Sequence, residues 1–429
     1  MSDQPRTDSE PRLFGRGGGA PLGTPNDTES VRGQQHLRVV IGSPVTIFRG
    51  PEPDICAGHQ MIRLANGDIV VPMDRWEGGK VVESWAMISA DGGKTWRRAR
   101  SPWTGGLLGQ LRDGTILMMA GTAEGPPQEP GVFSYRAVRG QDTWESLEPT
   151  TVIARVAAVQ GTGDDLQPFY GMFFWNRIVE MPDGPSTGSG SPHDAGEGPS
   201  RAESRGGDLL VTAYGYFEGD NEPIDVTWEP YREQAYGTPG FNKTRAVLLR
   251  SVDQGRSWDY VTTVSYDPSS GEEGPCEPSL TRTHSGDLVC IMRTGRVNAL
   301  RVSRSSDGGV TWTPLELIPG TIGVAPFLIT MHDGTLACVY GMKDDYWRFE
   351  HRRELRVMFS FDGGGTWPLN EIIYAGEAGS YPSICEVAPG RLIAAFNPSS
   401  LLARQGQKER LFVCIVPIRL KQAPVYKWP

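Results

Sequence analysis

The chain has 429 residues, 38% of them apolar, and a formal net charge of −9 that is spread without a basic stripe. This composition predicts a folded protein with a core, and it argues against both a nucleic-acid surface and a membrane-surface helix. No apolar run reaches the roughly 18 residues of a membrane span, and the N-terminus lacks the apolar core of a signal peptide. We therefore expect a cytoplasmic protein without a membrane partner.

The cysteines have neither C-x-x-C spacing nor a secreted context, which favours reduced thiols over disulfides or a zinc site. We expect no metal and no organic cofactor. The six cysteines are Cys56, Cys276, Cys290, Cys338, Cys385 and Cys414.

Residues 1–35 are rich in Gly, Pro, Ser, Thr and charge and lack any apolar period, so this segment is predicted to be a disordered tail. Order is predicted to begin near Leu37. The remaining chain, residues 36–422, is predicted to form a single repeat domain.

A glycine followed by a polar residue and an apolar run is typical of the second strand of a hairpin, and this pattern recurs six times. The six copies predict six hairpins. They read GDIVV, GTILMM, GDLLV, GDLVCI, GTLACV and GRLIAA, beginning at Gly67, Gly114, Gly207, Gly286, Gly334 and Gly390.

A second repeat, S-x-D-x-G-x-[TS]-W, closes the third strand of four units, in Ser89–Trp96, Ser251–Trp258, Ser305–Trp312 and Ser360–Trp367. Its aspartates are 54 and 55 residues apart in the last three copies, whereas the first copy lies 162 residues before the second. A low-complexity insertion at residues 182–206 and a long connection at residues 216–243 account for most of that excess. A seventh unit without its own hairpin signal is the alternative.

Repeated small sheets with almost no helical pattern predict an all-β, six-bladed β-propeller, because radial closure leaves only short strand edges exposed. The last unit, which ends with LFVCIVPI, is one strand short. We expect the segment LRVVIGSPVTIF, residues 37–48, to supply that strand and to close the ring.

In the S-x-D-x-G-x-T-W turns, Asp and Ser/Thr side chains can accept backbone N–H bonds, Gly permits a positive φ, and Trp packs into the seam. This is a structural role rather than a catalytic or calcium-binding one. With four copies, residues 40–420 resemble the sialidase superfamily, whose propellers carry such turns as Asp boxes.

A site is expected where the first strands of the hairpins begin, which we call the mouth face. Counting nine residues back from each hairpin glycine, with Gly184 of the insertion used for the third hairpin, places Gly58, Gly105, Trp175, Glu277, Ala325 and Tyr381 there. Arg293 ends the second strand of the fourth unit and Arg352 opens the third strand of the fifth. These four ionisable residues, Glu277, Tyr381, Arg293 and Arg352, should converge.

The physical chemistry of this set fits an acidic sugar. Arginines hold a carboxylate bidentately, and a neutral Tyr nucleophile avoids the repulsion that a carboxylate nucleophile would meet. A tyrosine with a pKa near 10 needs a base, and a glutamate can take its proton. Sialidases are glycosidases with a Tyr nucleophile.

The resemblance to sialidases extends to single residues. In EPSLTRTHSGDLVCIMR, Glu277 precedes Arg293 by sixteen positions, as the Glu partner of the nucleophile precedes an arginine of the sialidase triad. Arg352 is similar to the third triad arginine and Tyr381 to the nucleophile. Arg49, in FRGP, and Arg75 are similar to the first arginine and to the arginine after the first hairpin.

Two features depart from the family pattern. Arg49 lies nine residues before the expected inner position, which is Gly58 followed by His59. The acid/base Asp after Arg75 is missing, so Glu77 or Asp74 would have to protonate the leaving group. Each of these residues also has a structural role as the alternative to a role in the site. Tyr381 would pack against its neighbours, Arg75 and Glu77 would form an ion pair, and His59 would be a histidine within a strand.

The resemblance therefore implies a retaining exo-glycosidase that releases a terminal sialic acid or related acidic sugar. A superfamily glycosidase for a different sugar and a non-catalytic propeller that binds a glycan or a protein are the alternatives. Aromatic residues at Tyr214, Tyr216, Phe217, Trp228, Tyr231 and Tyr236 could stack on a sugar or pack within their loop.

Overall fold

In the computed structural model the described part of the chain consists of strands and their connections. It covers residues 28–32, 35–49, 55–57, 60–77, 80–100, 107–112, 114, 116–121, 131–137, 144–146, 150–153, 173–182, 207–215, 220, 222–224, 242–255, 257–295, 298–343, 353–375, 381–396 and 412–422. Within these ranges there is no helix, and hence none that could cross a membrane.

The residues that the structure describes form twenty-eight strands in five sheets. The chain starts with β1 (Thr28–Arg32), β2 (Gln35–Ile41) and β3 (Val45–Arg49). The next sheet is built from β4 (Ile55–Ala57), β5 (Ile62–Arg63), β6 (Ile69–Glu77), β7 (Lys80–Ser89) and β8 (Arg97–Arg100).

A nine-stranded sheet follows. Its strands are β9 (Leu107–Gln110), β10 (Ile116–Gly121), β11 (Gly131–Ala137), β12 (Trp144–Ser146), β13 (Thr150–Ile153), β14 (Phe173–Glu180), β15 (Leu209–Gly215), β16 (Arg245–Ser251) and β17 (Ser257–Ser265).

Two regular four-stranded meanders come next. The first has β18 (Cys276–Arg282), β19 (Leu288–Arg293), β20 (Arg301–Ser305) and β21 (Glu316–Leu317). The second has β22 (Gly323–Thr330), β23 (Leu336–Lys343), β24 (Arg353–Ser360) and β25 (Leu369–Ala375). The chain returns through β26 (Ser383–Ala388), β27 (Arg391–Phe396) and β28 (Phe412–Gln422).

All six predicted hairpins are present, as the antiparallel pairs β5–β6, β9–β10, β14–β15, β18–β19, β22–β23 and β26–β27. The number of blades differs from the six expected, because the structure has five sheets. The second and third hairpins share the nine-stranded sheet, where β9 and β14 pair in parallel at Leu108 and Arg177. The sequence motif marks hairpins, and it carries no information on whether two neighbouring hairpins join edge to edge.

The predicted closure of the ring is confirmed. Both β2 and β3 pair with β28, so the last sheet contains strands from the two ends of the described chain. Pairing also extends through β1, which lies inside the segment 1–35 predicted to be a disordered tail. Residues 1–27 of that segment, and most of the insertion at 182–206, lie outside the described residues.

Most of the core lies between neighbouring sheets, and one cluster, which contains Leu117 and Trp258, lies within the nine-stranded sheet. Met73 and Trp85 of the first sheet pack with Ile393 of the last, and Leu248 packs with Leu288 across the next seam. Further clusters join the two meanders, the second meander to the last sheet, and the first sheet to Ile116 of the nine-stranded one. Every sheet is thus packed on two neighbours, which is the arrangement of a β-propeller.

The four S-x-D-x-G-x-T-W turns have the structural role predicted for them. In the turn at Asp307, the Thr311 backbone N–H donates to Oδ1 at 2.9 Å and the Thr311 hydroxyl donates to Oδ2 at 2.6 Å. These bonds lower the pKa of Asp307 to about 2. The Ser305 hydroxyl accepts from the N–H of Gly309, and the Trp312 indole donates to Gly309 O at 3.0 Å. The side chain of Asp307 is therefore fully engaged within its own turn.

Candidate functional site

Four hairpins share one unusual backbone feature at the mouth face. Asn176, Glu277, Ala325 and Tyr381 all have positive φ, at 75°, 49°, 52° and 73°. In the β14–β15, β18–β19 and β22–β23 hairpins this residue falls at a shift in strand register, which is a β-bulge. Because Ala325 has the same conformation, the backbone geometry belongs to the repeat. The chemistry of each position is set by its side chain.

This feature corrects one predicted position. The residue of the third hairpin at the mouth face is Asn176 rather than Trp175. The count failed because it started from Gly184 in the insertion, whereas the hairpin pairs Glu180 with Leu209 across that insertion.

Glu277 and Arg293 form a buried ion pair. Glu277 is 2% and Arg293 9% exposed, and Arg293 Nη1 donates to Glu277 Oε1 at 2.9 Å. The second carboxylate oxygen of Glu277 accepts from the Ala325 backbone N–H at 2.7 Å. Burial raises the pKa of Glu277, while Arg293 and the Ala325 N–H oppose that rise. A carboxylate in this setting is a candidate general base.

A second carboxylate, Glu273, was not anticipated. It is 5% exposed and accepts from Arg293 Nη2 at 2.5 Å, so Arg293 donates to two buried glutamates. The Cys276 thiol lies 3.7 Å from Glu273 Oε2, and burial raises the pKa of that thiol far above its usual value. Glu273 precedes β18 in an irregular connection, where neither strand alternation nor the hairpin glycine marks it.

Two tyrosines complete the described part of the site. Burial raises the pKa of Tyr214 well above its usual value, and the charges of Glu277 and Tyr381 raise it further. The three side chains are therefore within electrostatic reach of one another. On β15 the Thr212 hydroxyl donates to Pro278 O at 2.7 Å, which fixes the strand of Tyr214 against the one that carries Glu277.

The position of Tyr214 could have been found from the sequence. It lies seven residues after the hairpin glycine Gly207, as Arg293 lies seven residues after Gly286. The same count from Gly67 reaches Asp74, which pairs through its backbone with Cys56 of β4. The seventh residue after the hairpin glycine is thus a repeated position on the second strand, and Tyr214 belongs to a strand rather than to the following loop.

The floor beneath these residues is cross-linked between hairpins. Asn176 Nδ2 donates to Pro326 O at 2.6 Å, and Leu328 N donates to Ser279 Oγ at 2.8 Å. Together with the Ala325–Glu277 bond, these contacts hold the first strands of three hairpins in fixed relation. Such a network of hydrogen bonds holds the carboxylates above it in a fixed geometry.

The remaining predicted residues cannot be placed as side chains. The backbones of Arg49, at the end of β3, and of Asp74, Arg75 and Glu77, on β6, are described, but their side chains are not. His59 and Arg352 lie outside the described residues, as do Tyr216, Phe217, Trp228, Tyr231 and Tyr236. Within the described ranges no group of three His, Cys, Asp or Glu residues could hold a metal ion.

Comparisons with known proteins agree with this architecture. Residues 228–393 match the family model of the BNR repeat-like domain. A protein of unknown function from Dyadobacter fermentans superposes with a TM-score of 0.56 at 19% identity, covering 89% of this chain and 99% of that one. No curated protein matches the sequence.

Two enzymes of known activity share the fold. A mutant of NanB sialidase from Streptococcus pneumoniae has a TM-score of 0.54 at 11% identity, with 87% of this chain and 70% of that chain covered. The α-L-arabinanase of Penicillium chrysogenum, complexed with arabinobiose, has a TM-score of 0.52 at 14% identity, with 88% and 98% covered. The chain therefore has the fold of the sialidase-like BNR-repeat propellers, as the sequence predicted, and glycoside hydrolases share that fold.

Proposed function

We propose that the protein is a retaining exo-glycosidase that cleaves a terminal sugar at the mouth face. The observation that carries this proposal is the buried Glu277–Arg293 pair, with Tyr214 within electrostatic reach of Glu277 and Tyr381. A buried carboxylate within electrostatic reach of a tyrosine, at the matching positive-φ position of another hairpin, is the pair that a tyrosine nucleophile requires. The glycosidases among the structural neighbours support the same class of reaction.

In the proposed mechanism, Tyr381 Oη attacks the anomeric carbon while its proton passes to Glu277. The bond to the leaving oxygen breaks, and Asp74 or Glu77 supplies the proton that this oxygen needs. Water then displaces Tyr381 with the roles of the two carboxyl groups reversed. Asp74 is the better placed candidate, because it lies seven residues after its hairpin glycine, as Arg293 does.

The first substrate class proposed is a sialic acid or related acidic sugar. A carboxylate on the sugar would be held by Arg352 together with Arg49 or Arg75, and by Arg293 from the side of Glu277. His59 would lie at the edge of the same site. The neutral phenol of Tyr381 suits such a substrate, since it brings no charge against the sugar's carboxylate.

A second substrate class, a neutral sugar, is favoured by Glu273. Both terminal nitrogens of Arg293 already donate to buried carboxylates, so the positive charge of Arg293 is compensated within the protein. A neutral sugar would meet no unpaired charge there. Arabinobiose in the neighbouring arabinanase is such a sugar.

The test is release of 4-methylumbelliferone from its sialic acid conjugate and from neutral sugar conjugates, arabinofuranoside included. Wild type and Tyr381→Phe are compared with Tyr260→Phe, a control at an exposed tyrosine on β17. We expect wild type and Tyr260→Phe to turn over one conjugate class and Tyr381→Phe to lose at least about 10³-fold in kcat. Binding of a glycan without turnover, unaffected by Tyr381→Phe, would instead indicate a non-catalytic propeller.

A further inference from the structure

A partly open cavity of about 530 Å³ lies between the first strands of the hairpins. The first strand of every one of the six hairpins contributes to its wall. Its lining residues follow the positive-φ residues along each strand, as Arg177 follows Asn176 and Cys385 follows Tyr381. The cavity therefore lies beyond the mouth face, on the other side of the floor that the Asn176–Pro326 bond closes.

The charges on the cavity wall are unevenly compensated. Three arginines line it, Arg63, Arg177 and Arg282, against two glutamates, Glu180 and Glu386. Both oxygens of Glu386 accept backbone N–H groups, from His332 at 2.6 Å and from Gly390 at 2.8 Å.

The other glutamate is also engaged away from the cavity arginines. Glu180 accepts from the backbone N–H of Arg112 at 2.9 Å and lies 3.7 Å from the Arg112 guanidinium. The carboxylates on the wall are thus bound to groups other than Arg63, Arg177 and Arg282.

The side chain of Arg177 has no hydrogen bond and no ion pair to any residue that the structure describes. Burial lowers its pKa, which is the effect expected of a guanidinium removed from water without a counter-charge. The Nε of Arg282 is likewise buried with no hydrogen-bond acceptor among the described residues. Unpaired guanidinium groups in a cavity are costly unless an anion joins them.

Arg63 and Arg177 both act electrostatically on the same residue, Cys385. Burial raises the pKa of the Cys385 thiol to about 12, and Arg63 and Arg177 both act against that rise. Both guanidinium groups are therefore within electrostatic reach of one small region of the wall. A cavity of this size holds a small ligand with accompanying water.

We propose that this cavity binds a small oxyanion of the phosphate or sulfate class, held by Arg177 together with Arg63 and Arg282. A guanidinium presents N–H groups in a planar fork that matches such oxygens, and partial burial in the cavity strengthens the attraction. The bound anion joins the first strands of several hairpins, so its role is to stabilise the ring. This site is separate from the mouth face, and its occupancy does not depend on the glycosidase proposal.

The test is thermal unfolding of the full chain in inorganic phosphate, with sodium chloride adjusted to keep the ionic strength constant. We expect a saturable rise in Tm of about 2–5 °C at a hundredfold excess over Kd. Arg177→Gln should lose the response, because it removes the fork while keeping a side chain of similar polarity. Arg97→Gln, at an exposed residue of β8, should keep it.

Arg177→Lys provides a second measurement that does not rest on one variant folding well. It keeps the positive charge but loses the bidentate geometry, so phosphate should bind it at least about tenfold more weakly by calorimetry. No response of wild type to phosphate or sulfate at constant ionic strength would overturn the proposal. An equal response in wild type and Arg177→Gln would overturn it as well.

Discussion

Arg293 Nη1 lies 2.9 Å from Glu277 Oε1, in a pair whose members are 9% and 2% exposed. The same guanidinium donates to Glu273, so two carboxylates and one guanidinium are buried together beneath the mouth face. The acid–base behaviour of Glu277, and through it that of the whole candidate site, depends on this arrangement.

Replacing Glu273 with Gln should shift the pH dependence of turnover. Burial is the main cause of the raised pKa of Glu277, and the negative charge of Glu273 adds to it. In Glu273→Gln the pKa of Glu277 falls, so more Glu277 is ionised and able to accept a proton at low pH. The acidic limb of the kcat/KM profile should move to lower pH.

The matched control for that shift is Glu316→Gln, which alters an exposed pair with Arg304 on the surface. Its profile should coincide with that of wild type. An acidic limb that stays in place or moves to higher pH in Glu273→Gln would show that Glu273 does not act on the essential base.

Replacing Arg293 with Met should destabilise the fold, because it leaves Glu273 and Glu277 buried without a counter-charge. The expected loss is about 3–5 kcal/mol in the free energy of unfolding near neutral pH. Burial raises the pKa of Glu277, and in the variant Arg293 no longer opposes that rise. The folded variant therefore binds more protons than its unfolded form, and its stability falls as pH rises above about 4.

Urea unfolding at pH 5 and pH 7.5 measures both effects, with a smaller deficit expected at pH 5. Arg98→Met, which removes an exposed ion pair with Glu83, should cost no more than about 1 kcal/mol at either pH. A deficit in Arg293→Met that does not change with pH would contradict the account of two ionised carboxylates.

Adjacent glycines in the Asp307 turn should respond differently to alanine. Gly308 and Gly309 both have positive φ, at 75° and 95°. A Cβ on Gly308 would meet open space, so Gly308→Ala carries the conformational cost alone, about 1 kcal/mol.

A Cβ on Gly309 would overlap Leu248, which is fully buried in the seam between two sheets. We expect Gly309→Ala to cost a further 1–3 kcal/mol, roughly, by urea unfolding. Equal losses in the two variants would show that the turn does not pack on Leu248 as the structure has it.

Much of this architecture could be predicted, because each hairpin carries its own glycine and apolar run. The pairing of β2 and β3 with β28 followed from a last unit that was one strand short. The joining of two hairpins by the Leu108–Arg177 pairing could not be predicted, since a parallel contact between first strands leaves no local pattern.

The candidate site was predicted in part for the same reason. Glu277, Arg293 and Tyr381 occupy repeated positions. Counting nine residues back from a hairpin glycine reaches Glu277 and Tyr381, and counting seven residues forward reaches Arg293. The insertion at residues 182–206 displaced that count by one residue, from Asn176 to Trp175. Glu273 lies in an irregular connection outside the repeat, so its contact with Arg293 was visible only in three dimensions.

The most direct test of the central claim is to trap the covalent intermediate. The full-length protein would be treated separately with a fluorinated sialic acid reagent and a fluorinated arabinofuranosyl reagent, digested, and mapped by mass spectrometry. The account predicts one sugar adduct, on Tyr381, which is lost in Tyr381→Phe and retained in Tyr260→Phe. An adduct on Glu277 or on another residue, or no adduct in a protein that turns over its conjugate, would contradict it.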